Sequence, residues 1–167
     1  MKINTDQLSE FNKKQNDSFE NEIDYIKNKF AKKGISIDEI IQKLADFQVA
    51  IPSWDLGAGG TRFGRFSYGG EPSSLEQKLD DIGILHALTK TAGAVSLHIP
   101  WDIPEDINAI KDIAKSHDII FDAMNSNTFQ DYGQELTYKM GSLSNADSGI
   151  RQQAVDHNKQ VIEIGKS

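Results

Sequence analysis

The feature that most constrains the fold is a threefold alternation of short apolar runs with segments of helical periodicity. The strand-like runs span residues 47–54, 94–100 and 119–124. Alternation at this spacing predicts a parallel sheet whose strands are joined by right-handed helical crossovers. The runs lead into Trp54, His98 and the stretch from Asn125 to Phe129. In parallel sheets, functional side chains gather at the carboxyl ends of strands, so these residues are predicted to converge.

The domain organisation follows from the same pattern. Residues 1–46 are predicted to be an N-terminal helical extension, with a frayed start, a helix from Phe19 to about Gly34 and a second helix capped by Ser36. The apolar face of the second helix is expected to point inward. Residues 47–167 hold three strand-helix units. Because a complete (β/α)8 barrel takes about 250 residues, the predicted fold class is α/β, a partial TIM barrel comprising the first three of eight units.

Two further helix starts are predicted from capping signals. Ser73 and Glu76 form an S-x-x-E capping box before the helix that follows the first strand. Pro104 stands where the first position of the next helix is expected. The last helix is expected to begin near Asp147 and to carry His157 on its inward face, as a core residue with a hydrogen-bond partner.

Composition excludes several function classes. The net charge of −7, from 18 basic and 25 acidic residues with no basic patch, argues against a nucleic-acid partner. The absence of cysteine excludes a disulfide or a thiolate metal site within these residues. No apolar run approaches the roughly 20 residues that a membrane span requires, and the polar start lacks the apolar core of a signal peptide. We therefore expect no membrane partner and a cytoplasmic location.

Residues 55–72 form a Gly-rich loop that is much longer than usual for a strand-to-helix connection. A phosphate-binding interpretation fails, because Arg62 stands where a G-x-G-x-x-G motif needs its third glycine. A flexible lid or an interface loop remains the simpler interpretation.

His98 is the leading catalytic candidate, since it follows a buried strand at the edge where a pocket is expected. Asp102 lies four residues later and is a candidate to orient the imidazole and raise its basicity, which suits a residue that moves protons. A structural histidine is an equally good interpretation. Trp54 and Phe129 offer flat apolar faces against which a sugar can stack, although large aromatic side chains are more often core.

Five phrases of the sequence occur together and in order. They are IPSWDLGAGGTRFGRF (51–66), VSLHIPWD (95–102), FDAMNSNTFQD (121–131), KMGSLS (139–144) and AVDHNKQVIEIGK (154–166). In this combination the chain resembles the amino-terminal part of a metal-dependent L-rhamnose isomerase of the bacterial, broad-specificity sugar isomerase type.

The resemblance implies a TIM barrel that interconverts aldoses and ketoses, such as L-rhamnose and L-rhamnulose, with Mn²⁺ or another divalent cation. It implies that His98 contacts the sugar and assists ring opening, and that Trp54 and Phe129 line the substrate pocket. Phe63 matches a position that reaches across the subunit interface of family tetramers, which implies a homotetramer and an intersubunit role for the Gly-rich loop.

The sequence departs from the family at Asp55, where a small residue is usual, and at Asn145, where histidine is frequent. The family's metal-binding carboxylates and histidine come from later strands. We therefore expect no metal ligands in these 167 residues and no activity from the chain alone. The alternatives are another xylose-isomerase-like barrel, such as a sugar epimerase or a metal-dependent endonuclease, and a non-catalytic binding or assembly module that needs a partner chain.

Overall fold

A computed structural model describes residues 4–57 and 69–167 as an α/β arrangement around one small parallel sheet. Its strands are β1 (Ala50–Pro52), β2 (Ala94–Ile99) and β3 (Ile120–Ser126), and its helices are α1 (Thr5–Ala31), α2 (Ile37–Ala45), α3 (Ser53–Leu56), α4 (Leu75–Thr89), α5 (Ile107–Ser116) and α6 (Ser148–Lys166). None of the helices in the described ranges is long and apolar enough to cross a membrane.

The sheet has the order β1-β2-β3, and both strand pairs are parallel, as predicted. Ala50 pairs with Ala94 at one end of the sheet, and His98 pairs with Asn125 near the other. The central strand β2 is buried along almost its whole length, which is typical of a parallel strand covered by helices. Three strands agree with a partial α/β fold, while closure into a barrel stays a prediction.

The core lies between the sheet and the helices α4 and α5. Leu79 and Ile82 of α4 are fully buried in a cluster that includes Val95 and Leu97 of β2. Because side chains alternate along a strand, Val95 and Leu97 share the face that meets these helices. Each large aliphatic side chain in such a cluster contributes about 1.5–3 kcal/mol through burial. This packing fixes the orientation of β2 and therefore of the residues at its carboxyl end.

Helix α1 begins much earlier than predicted. The predicted frayed start of the chain is therefore wrong for the residues from Thr5 onward. The Asn4 side chain accepts a hydrogen bond from the main-chain N–H of Gln7 at 2.8 Å, and the Gln7 side chain accepts one from the N–H of Asn4 at 3.2 Å. This reciprocal capping box satisfies two N–H groups that otherwise lack intrahelical partners. The helix consequently extends from Thr5 instead of from about Phe19.

Two other helix starts are also shifted relative to the prediction. The residue that caps α4 is Ser74, not Ser73, and it accepts from the N–H of Gln77. Helix α5 begins at Ile107, not at Pro104, because the Asp106 carboxylate accepts from the N–H groups of the two residues that follow Ile107. The predicted cap at Ser36 and the predicted start of the last helix near Asp147 are confirmed, and Asp147 is the residue that caps α6.

The apolar face of α2 is exposed, contrary to the expectation that it points inward. No residue of α2 is buried, and Leu44 is 64% exposed. Ile40 and Ile41 are also exposed. The helix packs on α1, and no other part of the described chain covers its apolar side.

A buried ionic network at the carboxyl edge of the sheet joins three segments of the chain. The Asp102 carboxylate is 1% exposed. Its Oδ1 accepts a hydrogen bond from Lys78 Nζ at 2.7 Å, and its Oδ2 accepts one from the main-chain N–H of His98 at 2.7 Å. The hydroxyl of Ser53 also donates to Oδ2. One side chain thereby connects α3, α4 and the end of β2.

We predict that Asp102→Ala strongly destabilises the chain. The substitution leaves the buried Lys78 ammonium without its counter-ion and two further donors without an acceptor, and loss of one partner of a buried ion pair costs about 3–5 kcal/mol. The free energy of unfolding measured by urea titration tests this. Asp112→Ala, at an exposed position of α5, is the control and should stay within about 0.5 kcal/mol of wild type. Equal stability of the two variants would contradict the prediction.

Candidate functional site

The carboxyl ends of the three strands bring together the aromatic residues singled out in the sequence. The ring of His98 lies between Trp54, with ring centroids 5.6 Å apart, and Phe129, with centroids 5.8 Å apart. Trp54 belongs to the single turn α3 that directly follows β1, and Phe129 lies just after β3. Trp101 packs against His98, with ring centroids 4.1 Å apart. The parallel order of the strands therefore creates one cluster from three distant stretches of sequence.

The orientation of His98 follows from strand geometry. Val95 and Leu97 face the helices α4 and α5, so the alternation of side chains along β2 directs His98 to the opposite face of the sheet. The Trp54 and His98 rings meet edge to face, with an interplanar angle of 67°. This is a favoured geometry for aromatic pairs, and it restricts the rotation of the imidazole.

Burial gives the His98 imidazole unusual electrostatic properties. The residue is 4% exposed, and its Nε2 has no hydrogen-bond partner in residues 4–57 and 69–167. Burial is the main cause that lowers the pKa of His98 below its ordinary value of 6.5, and the nearby His157 and Lys78 lower it further, while Asp102 raises it. The lowered pKa favours the neutral imidazole, whose Nε2 can accept or donate a proton.

Asp102 contacts the main chain of His98 and not its ring. The hydrogen bond runs from the His98 backbone N–H to Asp102 Oδ2, and the main-chain N–H of Asp102 donates back to the His98 carbonyl at 2.9 Å. The predicted role of Asp102 in orienting the imidazole stays a prediction. Any orienting effect of Asp102 on the imidazole acts through the backbone and through its negative charge.

Asn127 lies in the stretch from Asn125 to Phe129 that was predicted to reach this edge, although no individual role was predicted for it. Its main-chain N–H donates to the carbonyl of Ile99 at 3.1 Å and to Nε2 of His157 at 3.0 Å. Its side chain is buried, and its Oδ1 has no hydrogen-bond partner within the described part of the chain. The hydrogen-bonded role predicted for His157 is confirmed, since this side chain holds the start of the loop after β3.

Ser53 and Lys78 were missed by the sequence reasoning. A serine beside a tryptophan carries no signal of its own. Lys78 lies next to Leu79 on the buried side of α4, where a lysine is rare unless it has a partner. That position was the only sequence signal available, and it does not identify the partner.

Phe63 and most of the Gly-rich loop lie outside the described residues. Its predicted role at a subunit interface stays a prediction.

The described residues contain no group of three or more His, Cys, Asp or Glu side chains that could hold a metal ion. A divalent cation as implied by the sequence resemblance has no binding site among these residues. Metal use stays a prediction that depends on ligands outside them.

Comparison with known proteins links the chain to sugar isomerases. No family model matches the chain. It is 45% identical over 166 residues, 99% of the chain, to a protein of Rhizobium meliloti (strain 1021) that is named as a probable sugar isomerase. It is 53% identical over 137 residues, 81% of the chain, to a protein of Mesorhizobium japonicum (strain LMG 29417) with the same designation.

The chain spans only 39% and 32% of the lengths of these two relatives. Identity at this level over nearly the whole chain supports a sugar isomerase-like function. It does not distinguish among sugars, and it does not address the metal.

Proposed function

We propose that this chain forms part of a cytoplasmic, metal-dependent aldose-ketose isomerase that acts on L-rhamnose and related sugars. In this proposal, Trp54 and Phe129 form an apolar wall of the sugar pocket and His98 handles a proton during ring opening. The observation that carries the proposal is the buried imidazole of His98, which is held among these aromatic rings and whose Nε2 has no hydrogen-bond partner among the described residues.

The chemistry of ring opening fits this arrangement. A cyclic aldose opens when its anomeric hydroxyl loses a proton and its ring oxygen gains one. A neutral imidazole can accept the first proton or deliver the second, and a positioned group of this kind contributes about 10²–10⁴-fold to a rate. The aromatic faces around His98 suit the apolar C–H surface of a sugar, while Nε2 supplies a directed polar contact.

The later step, hydrogen transfer between C1 and C2, is not assigned to any residue of this chain. The described residues offer no metal site, so we derive no step through Mn²⁺ or another divalent cation. In the proposal, the metal ligands belong to later strands of a longer protein. Phe63 is proposed to contact a neighbouring subunit of a homotetramer.

A non-catalytic assembly module is the second candidate, and the open edge of the sheet favours it. Strand β3 has one neighbour, and its Ile120 is 59% exposed. An unpaired edge invites pairing with further chain. A later strand of the same enzyme or a strand of a separate partner chain can pair with this edge. The activity of the complete protein distinguishes these two possibilities.

We predict that the longest protein encoded in frame with this segment converts L-rhamnose to L-rhamnulose in the presence of Mn²⁺. Chromatography of the ketose product measures the reaction. Dialysis against EDTA, followed by re-addition of Mn²⁺, tests the requirement for metal. Activity that survives complete removal of metal would contradict metal dependence. Conversion of a sugar to its epimer without aldose-ketose interconversion would favour an epimerase, and a frame that ends at Ser167 with no activity would favour the assembly module.

We predict that His98→Gln lowers kcat of this complete protein by about 10²–10⁴-fold, because the amide cannot exchange a proton. Steady-state kinetics measures the effect, and circular dichroism checks that the variant is folded. His117→Gln is the matched control, since this histidine caps α5 and pairs with Asp80 away from the aromatic cluster. Equal kcat values for the two variants would remove His98 from the proton transfer.

We predict that kcat/KM falls on the acid side with a midpoint below 6.5, the ordinary pKa of histidine. Burial lowers the pKa of His98, so the neutral form persists at lower pH, and activity present above that pKa is lost as the pH falls through it. A pH profile of kcat/KM from pH 4.5 to 8 measures the midpoint. A midpoint above 6.5 is the opposite result and would rule out a neutral, desolvated His98 as the titrating group.

A further inference from the structure

Lys78 is a buried cation that the proposed chemistry does not use. It lies on α4 and is 5% exposed, and its ammonium donates a hydrogen bond of 2.7 Å to Asp102 Oδ1. Burying a charged pair costs desolvation energy, and an apolar pair of similar volume is often no less stable. Stability alone therefore gives a weak reason for a lysine at this position.

The path of the Lys78 side chain is closely packed. A Cβ atom placed on Gly57 would lie 2.6 Å from Lys78 Cε and 3.0 Å from the carbonyl oxygen of Pro72. Gly57 lies at the described start of the Gly-rich loop, so the loop backbone packs closely against the end of this lysine. Such packing holds the ammonium in one place.

The two oxygens of Asp102 have different partners. Oδ1 faces the Lys78 ammonium, while Oδ2 accepts from the Ser53 hydroxyl and from the main-chain N–H of His98. An unpaired carboxylate in this buried position would have to take up a proton or rotate toward water. Either change would weaken the contacts of Oδ2 and release the backbone that carries the imidazole.

We propose that Lys78 is a positioning residue of the isomerase site, which acts through Asp102 to hold the main chain of His98 beside Trp54. The inference rests on the proposed function. It adds a dependence of catalysis on a residue that touches neither the sugar nor the imidazole.

The placement of the anchored segments supports this inference. The Asp102 carboxylate, which pairs with Lys78, accepts hydrogen bonds from Ser53 and from the backbone of His98. Because Ser53 directly precedes Trp54, both hydrogen bonds hold the chain at the aromatic cluster. A displacement of about 1 Å between catalytic groups can cost 10²-fold in rate. In this inference, the 5.6 Å separation of the Trp54 and His98 rings depends on a network to which Lys78 contributes the cation among the described residues.

The test uses the complete protein and variants that separate charge from anchoring. Lys78→Met keeps the length of the side chain and removes the charge. In the double variant Lys78→Met/Asp102→Asn, the amide oxygen can replace Oδ2 as acceptor from His98 and Ser53 while the buried charges are gone. In Lys78→Met/Asp102→Leu the charges are also gone, but there is no acceptor. Lys115→Met, at an exposed position of α5, is the control.

We expect kcat of folded Lys78→Met to fall about ten- to a hundred-fold with KM changed by less than about threefold, because a displaced catalytic group affects turnover more than binding. The Asn double variant should recover most of the lost kcat, and the Leu double variant should not. The two double variants alone decide the question if Lys78→Met does not fold. Equal kcat values for the Asn and Leu double variants would overturn the inference, as would wild-type kcat in folded Lys78→Met.

A readout independent of turnover separates this inference from the proposed function. Crystal structures of wild type and the two double variants, superposed on β2, should show the His98 ring displaced relative to Trp54 only in the Leu variant. An unmoved ring in the Leu variant would overturn the inference. An inactive wild type with the expected displacement would instead overturn the isomerase proposal and leave the positioning role of the network intact.

Discussion

The carboxylate of Asp102 is the group on which the arrangement of this sheet edge depends. A charge removed from water is tolerated only where a counter-ion and hydrogen-bond donors replace the lost hydration. Lys78, Ser53 and the backbone of His98 provide these contacts from three separate segments. Because removal of any one donor leaves the buried charge less satisfied, the segments must assemble together. The network is therefore a geometric constraint that joins the first two strand ends, in addition to the apolar core behind them.

Sequence reasoning predicted the parts of the fold that depend on periodicity. The three strands, their parallel order and the helices between them follow from apolar spacing, since each pattern reports which faces are buried. The gathering of Trp54, His98 and Phe129 followed from the same logic, because parallel strands end at the same edge. The parts that failed are those where two local signals compete. Ser73 and Ser74 each lie three residues before a suitable partner, and in the structure Ser74 accepts the capping hydrogen bond from Gln77.

The buried network lay beyond such reasoning for a different reason. Lys78 and Asp102 are 24 positions apart, and nothing in the local sequence pairs them. The same limit applies to the apolar face of α2. Its amphipathic pattern predicts that Ile40, Ile41 and Leu44 pack against another surface. The pattern does not identify the segment that provides this surface. The described chain leaves this face exposed, as it leaves the free edge of β3.

In the proposed isomerase, the aromatic cluster and these exposed surfaces have different tasks. The described residues supply an apolar wall and a neutral imidazole, both held by contacts internal to this segment. They supply no cluster of metal ligands, and the outer edge of β3 has no partner strand among them. Contacts internal to this segment, among them the hydrogen bond from the His98 backbone N–H to Asp102, hold the imidazole beside Trp54. In the proposed isomerase, further strands would bring the groups for hydrogen transfer to this aromatic wall.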